Sequence, residues 1–274
     1  MSRKPSVTTK AKKTETLESP KVPFDLLSQI RVDIKHKNET QKKLTQAIKI
    51  NDVTICTGPA GTGKTLLSVF EALVLLKAHP DIYKEIKLVK SITQLKNEEL
   101  GTLPGDEKDK MKFHMMSFLD AFHKLIGEEL TNKLIDSNYI KMEVFGAIRG
   151  RSFTNAIILI DEFQNISHDN AKTFLTRFSD NTKVIVLGDS GQIDLKDKKD
   201  SSLERLAERV KRNPAEGVTV IEFTELDVVR HRLTNYFLSI FKEEAKLPPK
   251  PQPPKSQLLT EAKKPFSLLG LFKK

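Results

Sequence analysis

The chain has 274 residues, a formal net charge of +10, 38% hydrophobic residues and one cysteine, Cys56. This length suits one large α/β domain or two small ones, and a lone cysteine excludes an internal disulfide framework and a cysteine-based zinc site. Residues 1–23 lack the apolar centre of a signal peptide, and no stretch approaches the ~20 apolar residues of a membrane span. We therefore expect a cytoplasmic protein without a membrane-spanning segment.

The positive charge lies at the two ends of the sequence. Residues 1–23 carry six Lys or Arg against two Glu, residues 246–274 carry seven Lys against one Glu, and residues 24–245 are balanced. We expect residues 1–23 to form a disordered basic tail, because they are polar and show no periodicity. Residues 246–264 contain five of the thirteen prolines and predict an extended Pro/Lys-rich linker. The basic tails either contact RNA or single-stranded DNA through charge attraction or act as solubilising ends.

Strand-like and helix-like patterns alternate along residues 24–245, which predicts a doubly wound α/β domain with a parallel sheet between helices. Strands are predicted at 52–57, 86–90, 139–145, 156–161, 183–188 and 218–223. Helices are predicted at 38–49, 64–78, 107–126, 168–179, 201–212 and 226–244. The runs 156–160 and 184–187 are apolar without alternation, as expected of strands that are covered on both faces.

The first chemical signature follows the first predicted strand and opens the next predicted helix. It has the form G-x-x-x-x-G-K-[ST] of a phosphate loop (Walker A) and consists of Gly58, Pro59, Ala60, Gly61, Thr62, Gly63, Lys64 and Thr65. Glycines let the backbone turn its N–H groups toward an anion, and the positive end of the following helix adds to that field. We therefore expect a nucleoside triphosphate here, with Lys64 at the β- and γ-phosphates and Thr65 at Mg²⁺.

Two later strands also end in polar residues that suit phosphate chemistry. The apolar run 157–160 leads into Asp161 and Glu162. In such a Walker B arrangement Asp161 would belong to the Mg²⁺ shell, and Glu162 would orient or deprotonate a water molecule. The run 184–187 leads into a segment that ends at Gln192. We expect the amide of Gln192 to contact the γ-phosphate and to respond to its loss. Taken alone, this last segment is equally typical of a plain turn.

Taken together and in chain order, the polar segments resemble those of the PhoH-like ATPases, relatives of the superfamily 1 helicase core. The similarity runs from residue 38 to residue 244. The segments that carry it are the phosphate loop, 100–106 (LGTLPGD), 148–153 (IRGRSF), 161–165 (DEFQN), 172–177 (KTFLTR), 188–195 (GDSGQIDL) and 227–231 (DVVRH). The resemblance implies a P-loop NTPase (RecA-like) fold over residues 24–245, ATP and Mg²⁺ as ligands, and hydrolysis of the γ-phosphate of ATP.

The resemblance also implies roles for single residues. Gln192 matches the family's γ-phosphate-sensing Gln, and Gln41 is similar to an upstream Gln that reads adenine, although a surface Gln that opens a helix fits the sequence as well. Arg151 and Arg230 are candidates for neutralising charge at the γ-phosphate, from the same chain or a neighbouring copy, or for structural ion pairs. Lys90 stands where the family usually has Arg, which puts contact with a nucleic-acid strand in doubt.

Two expectations concern partners. Superfamily 1 helicases carry two such cores and this chain has room for one, so we expect a homo-oligomer. The resemblance to the PhoH-like ATPases implies a ring as one form of this oligomer. Residues 265–274 place Phe and Leu at the end of the linker and resemble sliding-clamp-binding peptides, which implies a protein partner. An amphipathic end that folds back or touches a membrane surface is the alternative for this short apolar peptide.

Two other activities remain open at the level of sequence. The first is a nucleotide-gated binding module, in which the bound nucleotide controls a partner and turnover is incidental. The second is a P-loop kinase, which fits less well because Asp161, Glu162 and Gln192 suit activation of water better than transfer to a bound acceptor.

Overall fold

The computed structural model describes residues 25–90, 112–148 and 151–229, together with Tyr236 and Ile240. Its strands are β1 (Val53–Thr57), β2 (Glu85–Lys90), β3 (Ile140–Val144), β4 (Ala156–Asp161), β5 (Lys183–Gly188) and β6 (Val218–Glu222). They form a six-stranded sheet in the order β3-β2-β4-β5-β1-β6, and every neighbouring pair is parallel. The predicted parallel sheet is confirmed, and each strand prediction agrees with the structure to within one residue at either end.

Helices connect most of these strands, as is usual for a parallel topology, and a 3₁₀ turn (Phe145–Ile148) follows β3. In the described residues they are α1 (Asp25–Ser28), α2 (Glu39–Ile50), α3 (Lys64–Ala78), α4 (Met116–Ile126), α5 (Glu128–Asp136), α6 (His168–Leu175) and α7 (Leu203–Arg212). Three of them agree with the predictions at 38–49, 64–78 and 201–212 to within two residues. Within the described ranges every helix is too short or too polar to cross a lipid bilayer.

The predicted helix at 107–126 differs from the structure in two respects. A helical turn at 112–114 precedes α4, and residues 107–111 lie outside the described part of the chain. The prediction also missed α5, which begins directly after Gly127. Gly127 has φ +79°, a left-handed value that ends α4 and lets the chain turn into a second helix without a longer loop.

Two other helix predictions extend too far. The helix predicted at 168–179 ends at Leu175, because the following backbone pairs with Phe153, whose N–H donates to the Arg177 carbonyl at 3.1 Å. The helix predicted at 226–244 was wrong at its start, where Thr224 and Asp227 cap a single 3₁₀ turn. The rest of that prediction lies largely outside the described residues, as do the predicted tail 1–23, the linker 246–264 and the peptide 265–274.

Helices cover both faces of the sheet, which agrees with the apolar strand sequences. One face packs against α2, α3, α4 and α5 and carries the buried strand residues Cys56, Ile86, Leu88, Ile157, Leu159, Ile185 and Leu187. The other face packs against α6 and α7 and carries Val53, Ile55, Val89, Ile158, Ile160, Val184 and Val186. Burial of both faces fixes the register of the central strands, since a slip by one residue would exchange the two sets of side chains.

The strand order decides which loops meet. β5 lies between β1 and β4 and pairs with both. Thr57 pairs with Gly188 at one border of β5, and Ile160 pairs with Val186 at the other. Because the carboxyl ends of parallel strands lie at one edge of a sheet, the segments that follow β1, β4 and β5 lie side by side.

Candidate active site

The loop between β1 and α3 takes the turn that its glycines permit. Gly58, Gly61 and Gly63 have φ values of +135°, +86° and +92°, which disfavour residues with a Cβ atom. A Cβ atom on Gly58 would also lie 2.7 Å from the Cβ atom of Phe223, so the start of the loop is packed closely against the end of β6. Gly63 directly precedes the first residue of α3, so the loop leads straight into the helix N-terminus.

Lys64, the first residue of α3, lies across this loop. Its Nζ atom donates to the carbonyl oxygens of Gly58 at 2.7 Å and Pro59 at 2.8 Å. Burial lowers the pKa of Lys64, while the neighbouring carboxylates act in the opposite direction. The ammonium group is therefore held over the loop by backbone acceptors, and Thr65 follows it as a half-buried residue on the same helical turn.

Asp161 and Glu162 occupy the end of β4. The Asp161 carboxylate accepts from the Glu162 N–H at 3.0 Å and from the hydroxyl of Ser117 on α4 at 3.2 Å. Glu162 has φ +57°, a left-handed value that is uncommon for a residue other than glycine and costs about 1 kcal/mol. Burial raises the pKa of Glu162, the charge of Asp161 adds to this, and Lys90 opposes it from 3.9 Å. Ser117 and Lys90 were not identified as neighbours of these carboxylates from the sequence.

Gln164 joins the end of β4 to the loop after β5. Its side chain is fully buried, and its Nε2 atom donates to Glu162 Oε2 at 2.6 Å and to the Gln192 carbonyl at 3.0 Å. Its Oε1 atom accepts from the Asp189 N–H at 3.1 Å. Gln164 lies in the segment 161–165 that carries the family resemblance, but the sequence predicted no role for it, since its partners Gln192 and Asp189 are far away along the chain.

Asp189 connects the loop after β5 to the phosphate loop. One carboxylate oxygen of Asp189 accepts from the Ala60 N–H and from Gln192 Nε2, both at 3.0 Å. The other oxygen accepts from the Gly191 N–H at 2.9 Å. The structure thus brings the phosphate loop, Glu162 and Gln192 into one hydrogen-bonded arrangement at the carboxyl edge of the sheet.

Gln41, in the first turn of α2, contacts the phosphate loop from the other side. It is buried, its Nε2 atom donates to the Thr62 carbonyl at 2.9 Å, and its Oε1 atom accepts from the Lys37 N–H at 2.7 Å. Thr62 is itself buried and its hydroxyl donates to the Pro59 carbonyl. A cleft of about 510 Å³ opens beside these residues, with Gln41, Gly61, Gly63, Ile34, Leu66 and Val229 among its walls. Gln41 remains a predicted base-contacting residue whose amide is partly engaged by the protein itself.

The two candidate arginines are not brought to the phosphate loop by any described contact. Arg151 is exposed, and its guanidinium lies 3.3 Å from Glu143 on edge strand β3. Glu143 also pairs with Lys87, so Arg151 joins a local ion-pair network. Arg230 lies outside the described residues, and its predicted role stays a prediction.

Two solved structures show a partial likeness to this chain. A Pif1 helicase from Candida albicans has a TM-score of 0.38 and 17% identity, with 77% of this chain and 44% of that chain covered. The flagellar accessory protein FlaH from Methanocaldococcus jannaschii has a TM-score of 0.31 and 15% identity, with 58% of this chain and 70% of that chain covered.

Sequence relatives are much closer. A PhoH-like protein of Bacillus subtilis is 35% identical over 212 residues, which cover 77% of this chain and 65% of that protein. Protein PhoH of Escherichia coli K12 is 34% identical over 199 residues, covering 72% of this chain and 55% of that protein. The chain therefore spans less than two thirds of the length of these two relatives. The family model described as PhoH-like protein matches residues 33–242, and so the chain belongs to the PhoH-like protein family.

Proposed function

We propose that the protein binds ATP together with Mg²⁺ at the phosphate loop and hydrolyses the bond to the γ-phosphate. The observation that carries the proposal is the contact of Asp189 with the Ala60 N–H, because it joins the loop to the acid-bearing ends of β4 and β5. An anion-binding loop without nearby acids would support phosphate binding alone. The pairing of the two supports a site that also acts on a triphosphate.

The residues of the loop fit a triphosphate. Three glycines with left-handed backbone values let successive N–H groups face one anion, and the N-terminus of α3 points at the same place. A phosphate would offer the Lys64 ammonium a charged acceptor in place of the two carbonyl oxygens that it now contacts. Mg²⁺, when bound, would neutralise charge on the phosphate oxygens, and the Thr65 hydroxyl and Asp161 carboxylate are ligand types that this ion prefers.

The proposed reaction is in-line attack of water on the γ-phosphorus. The water oxygen forms the new bond, the bond from the γ-phosphorus to the bridging oxygen breaks, and ADP and inorganic phosphate leave. The Glu162 carboxylate orients the water and accepts its proton. Lys64 and an arginine, Arg151 or Arg230, neutralise charge on the transferred group, and Gln192 contacts the γ-phosphate.

Calorimetry and a phosphate-release assay test the two halves of this proposal. Lys64→Ala is expected to abolish binding of ATP, whereas Glu162→Gln is expected to bind ATP and to hydrolyse it at least ~100-fold more slowly. Lys43→Ala, which removes an exposed lysine on α2, serves as the control and is expected to match the wild type. The absence of heat when ATP and Mg²⁺ are added to folded wild-type protein would refute the proposal.

Coupling to nucleic acid is the second part of the proposal. The excess of Lys and Arg in residues 1–23 and 246–274 supports attraction to RNA or single-stranded DNA. Turnover that rises several-fold with RNA would support remodelling of nucleic acid. Flat turnover together with nucleotide-dependent partner binding would favour the gated-module alternative, and phosphate transfer to a hydroxyl acceptor instead of water would favour the kinase alternative.

A homo-oligomer, a ring among its possible forms, stays a prediction that a mass measurement tests.

A further inference from the structure

We propose that Gln164 is a positioning residue that holds the Glu162 carboxylate in a fixed relation to the loop after β5. This inference rests on the function proposed above and adds a residue that acts through Glu162. Gln164 itself is fully buried. Its effect on the reaction is therefore transmitted by its hydrogen bonds.

The amide of Gln164 is almost completely engaged. Its two N–H groups are shared between Glu162 Oε2 at 2.6 Å and the Gln192 carbonyl at 3.0 Å. Its oxygen accepts from the Asp189 N–H at 3.1 Å. Three directed bonds fix the orientation of an amide, because a flip of the group would put like partners against each other. Gln164 therefore links the Glu162 carboxylate to the backbone at both ends of the turn 189–192, at the Asp189 N–H and the Gln192 carbonyl.

The space around Gln164 is fitted to this amide. Gly188, the last residue of β5, lies beside it, and a Cβ atom on Gly188 would come within 2.8 Å of Gln164 Oε1. An apolar side chain of similar size could fill this space but would leave the Asp189 N–H and the Gln192 carbonyl without the partner that the amide supplies. The amide also donates to the Glu162 carboxylate, which is the proposed proton acceptor. An apolar side chain cannot make this bond.

The same bonds link Glu162 to the phosphate loop. Asp189, whose N–H is held by Gln164, accepts from the Ala60 N–H at 3.0 Å and from Gln192 Nε2 at 3.0 Å. A continuous chain of hydrogen bonds through Asp189 and Gln164 thus links the phosphate loop to the Glu162 carboxylate.

Two variants of Gln164 test this inference in the full-length protein. Gln164→Ala removes all three bonds, and Gln164→Glu keeps the shape but sets a second carboxylate against Glu162. Both are expected to lower kcat by ~10- to 100-fold, as displacement of a catalytic group by about 1 Å does. The affinity for ATP in calorimetry is expected to stay within about threefold of the wild-type value, since no residue of the phosphate loop is changed. Gln46→Ala, an exposed glutamine on α2, is the matched control.

A double-mutant cycle separates positioning from a structural role. In a Glu162→Gln background, Gln164→Ala is expected to cause little further loss of kcat, because the group through which it acts is already disabled. A structural role predicts losses that multiply, together with weaker ATP binding. Amide hydrogen exchange at Asp189 supplies a readout without turnover and is expected to be faster in Gln164→Ala.

The outcomes distinguish this inference from the proposed function. Wild-type protein without ATP turnover overturns both. Wild-type turnover that Gln164→Ala and Gln164→Glu leave unchanged overturns the positioning role alone. Multiplying losses in the Glu162→Gln background, or Asp189 exchange that stays at the wild-type rate, overturn it as well.

Discussion

Gly188 illustrates how a single small residue leaves space for a neighbour in the candidate active site. It lies at the end of β5, where a Cβ atom would meet Leu203 Cδ2 at 2.6 Å and Gln164 Oε1 at 2.8 Å. Gly188→Ala is therefore expected to displace the Gln164 amide, to lower kcat by ~10-fold or more and to destabilise the fold by about 1–3 kcal/mol. Steady-state turnover and thermal unfolding measure the two effects.

Gly146 provides the control for this substitution. A Cβ atom on Gly146 would have no neighbour within 4 Å, and its φ value is not left-handed. Gly146→Ala is therefore expected to leave both turnover and unfolding unchanged. Equal turnover and equal stability of the two alanine variants would mean that a methyl group at Gly188 does not displace the Gln164 amide.

Lys87 is a buried cation that lies between two carboxylates. It is buried on β2, with its Nζ atom 2.9 Å from Glu85 and 3.0 Å from Glu143. Lys87→Met leaves two carboxylates without their shared cation in a largely buried place, so we expect a loss of about 3 kcal/mol in the free energy of unfolding. Urea denaturation measures this loss.

Arg151 belongs to the same network but is 57% exposed in its side chain. Arg151→Ala is expected to cost less than ~1 kcal/mol, since solvent screens exposed ion pairs. A normal unfolding curve combined with a large loss of ATP turnover would support the proposed role of Arg151 at the γ-phosphate. Loss of stability as large as that of Lys87→Met would instead make it a structural residue.

At the scale of the element, α3 joins the phosphate loop to the core and carries one buried acid. Glu71 is fully buried, and Lys49 Nζ on α2 lies 3.6 Å from its carboxylate. Burial raises the pKa of Glu71 from 4.5 to about 7, and Lys49 only partly opposes this. The folded protein thus holds the proton more tightly than the unfolded chain, so this contribution to stability is complete below pH 4.5 and is lost as the pH rises through about 7.

Glu71→Gln tests that pH dependence. The neutral amide cannot lose a proton, so the variant is expected to be more stable than the wild type at pH 8, by about 1–3 kcal/mol, and close to it at pH 5. Urea unfolding of both proteins between pH 5 and pH 8 gives the difference in their free energies of unfolding. The contributions of the other titrating groups cancel in this difference. Two parallel curves would mean that Glu71 does not change its protonation between these pH values.

The elements also show what a sequence pattern can and cannot predict. The strands were predicted because their apolar runs reflect burial on both faces, which is a local property of the sequence. The role of Gln164 was not, since Asp189 and Gln192 lie 25 and 28 residues away and meet it only when β4 and β5 pair. The start of the helix predicted at 226–244 failed because a residue such as Thr224 caps a single turn as readily as a long helix.

At the scale of the whole molecule, the distribution of charge assigns the proposed chemistry and the proposed partner contacts to different parts of the sequence. Residues 24–245 are balanced, whereas residues 1–23 and 246–274 together carry thirteen Lys or Arg. Binding to a nucleic acid through the tails would release counterions, so the affinity for a single strand would fall with salt at a slope of about 0.7 per neutralised phosphate. ATP turnover at the sheet edge would not share this dependence.

A protein reduced to residues 24–245 tests this separation, with a full-length variant whose tail lysines and arginines are changed to Gln as the control for chain length. Both are expected to bind single-stranded RNA far more weakly than the wild type and with a salt slope near zero, because the positive charge is gone. Fluorescence anisotropy at several salt concentrations measures the slope, and phosphate release without RNA is expected to stay at the wild-type rate. A slope that survives removal of the tails would place the nucleic-acid contacts on residues 24–245, where the charges balance and directed contacts would have to replace overall attraction.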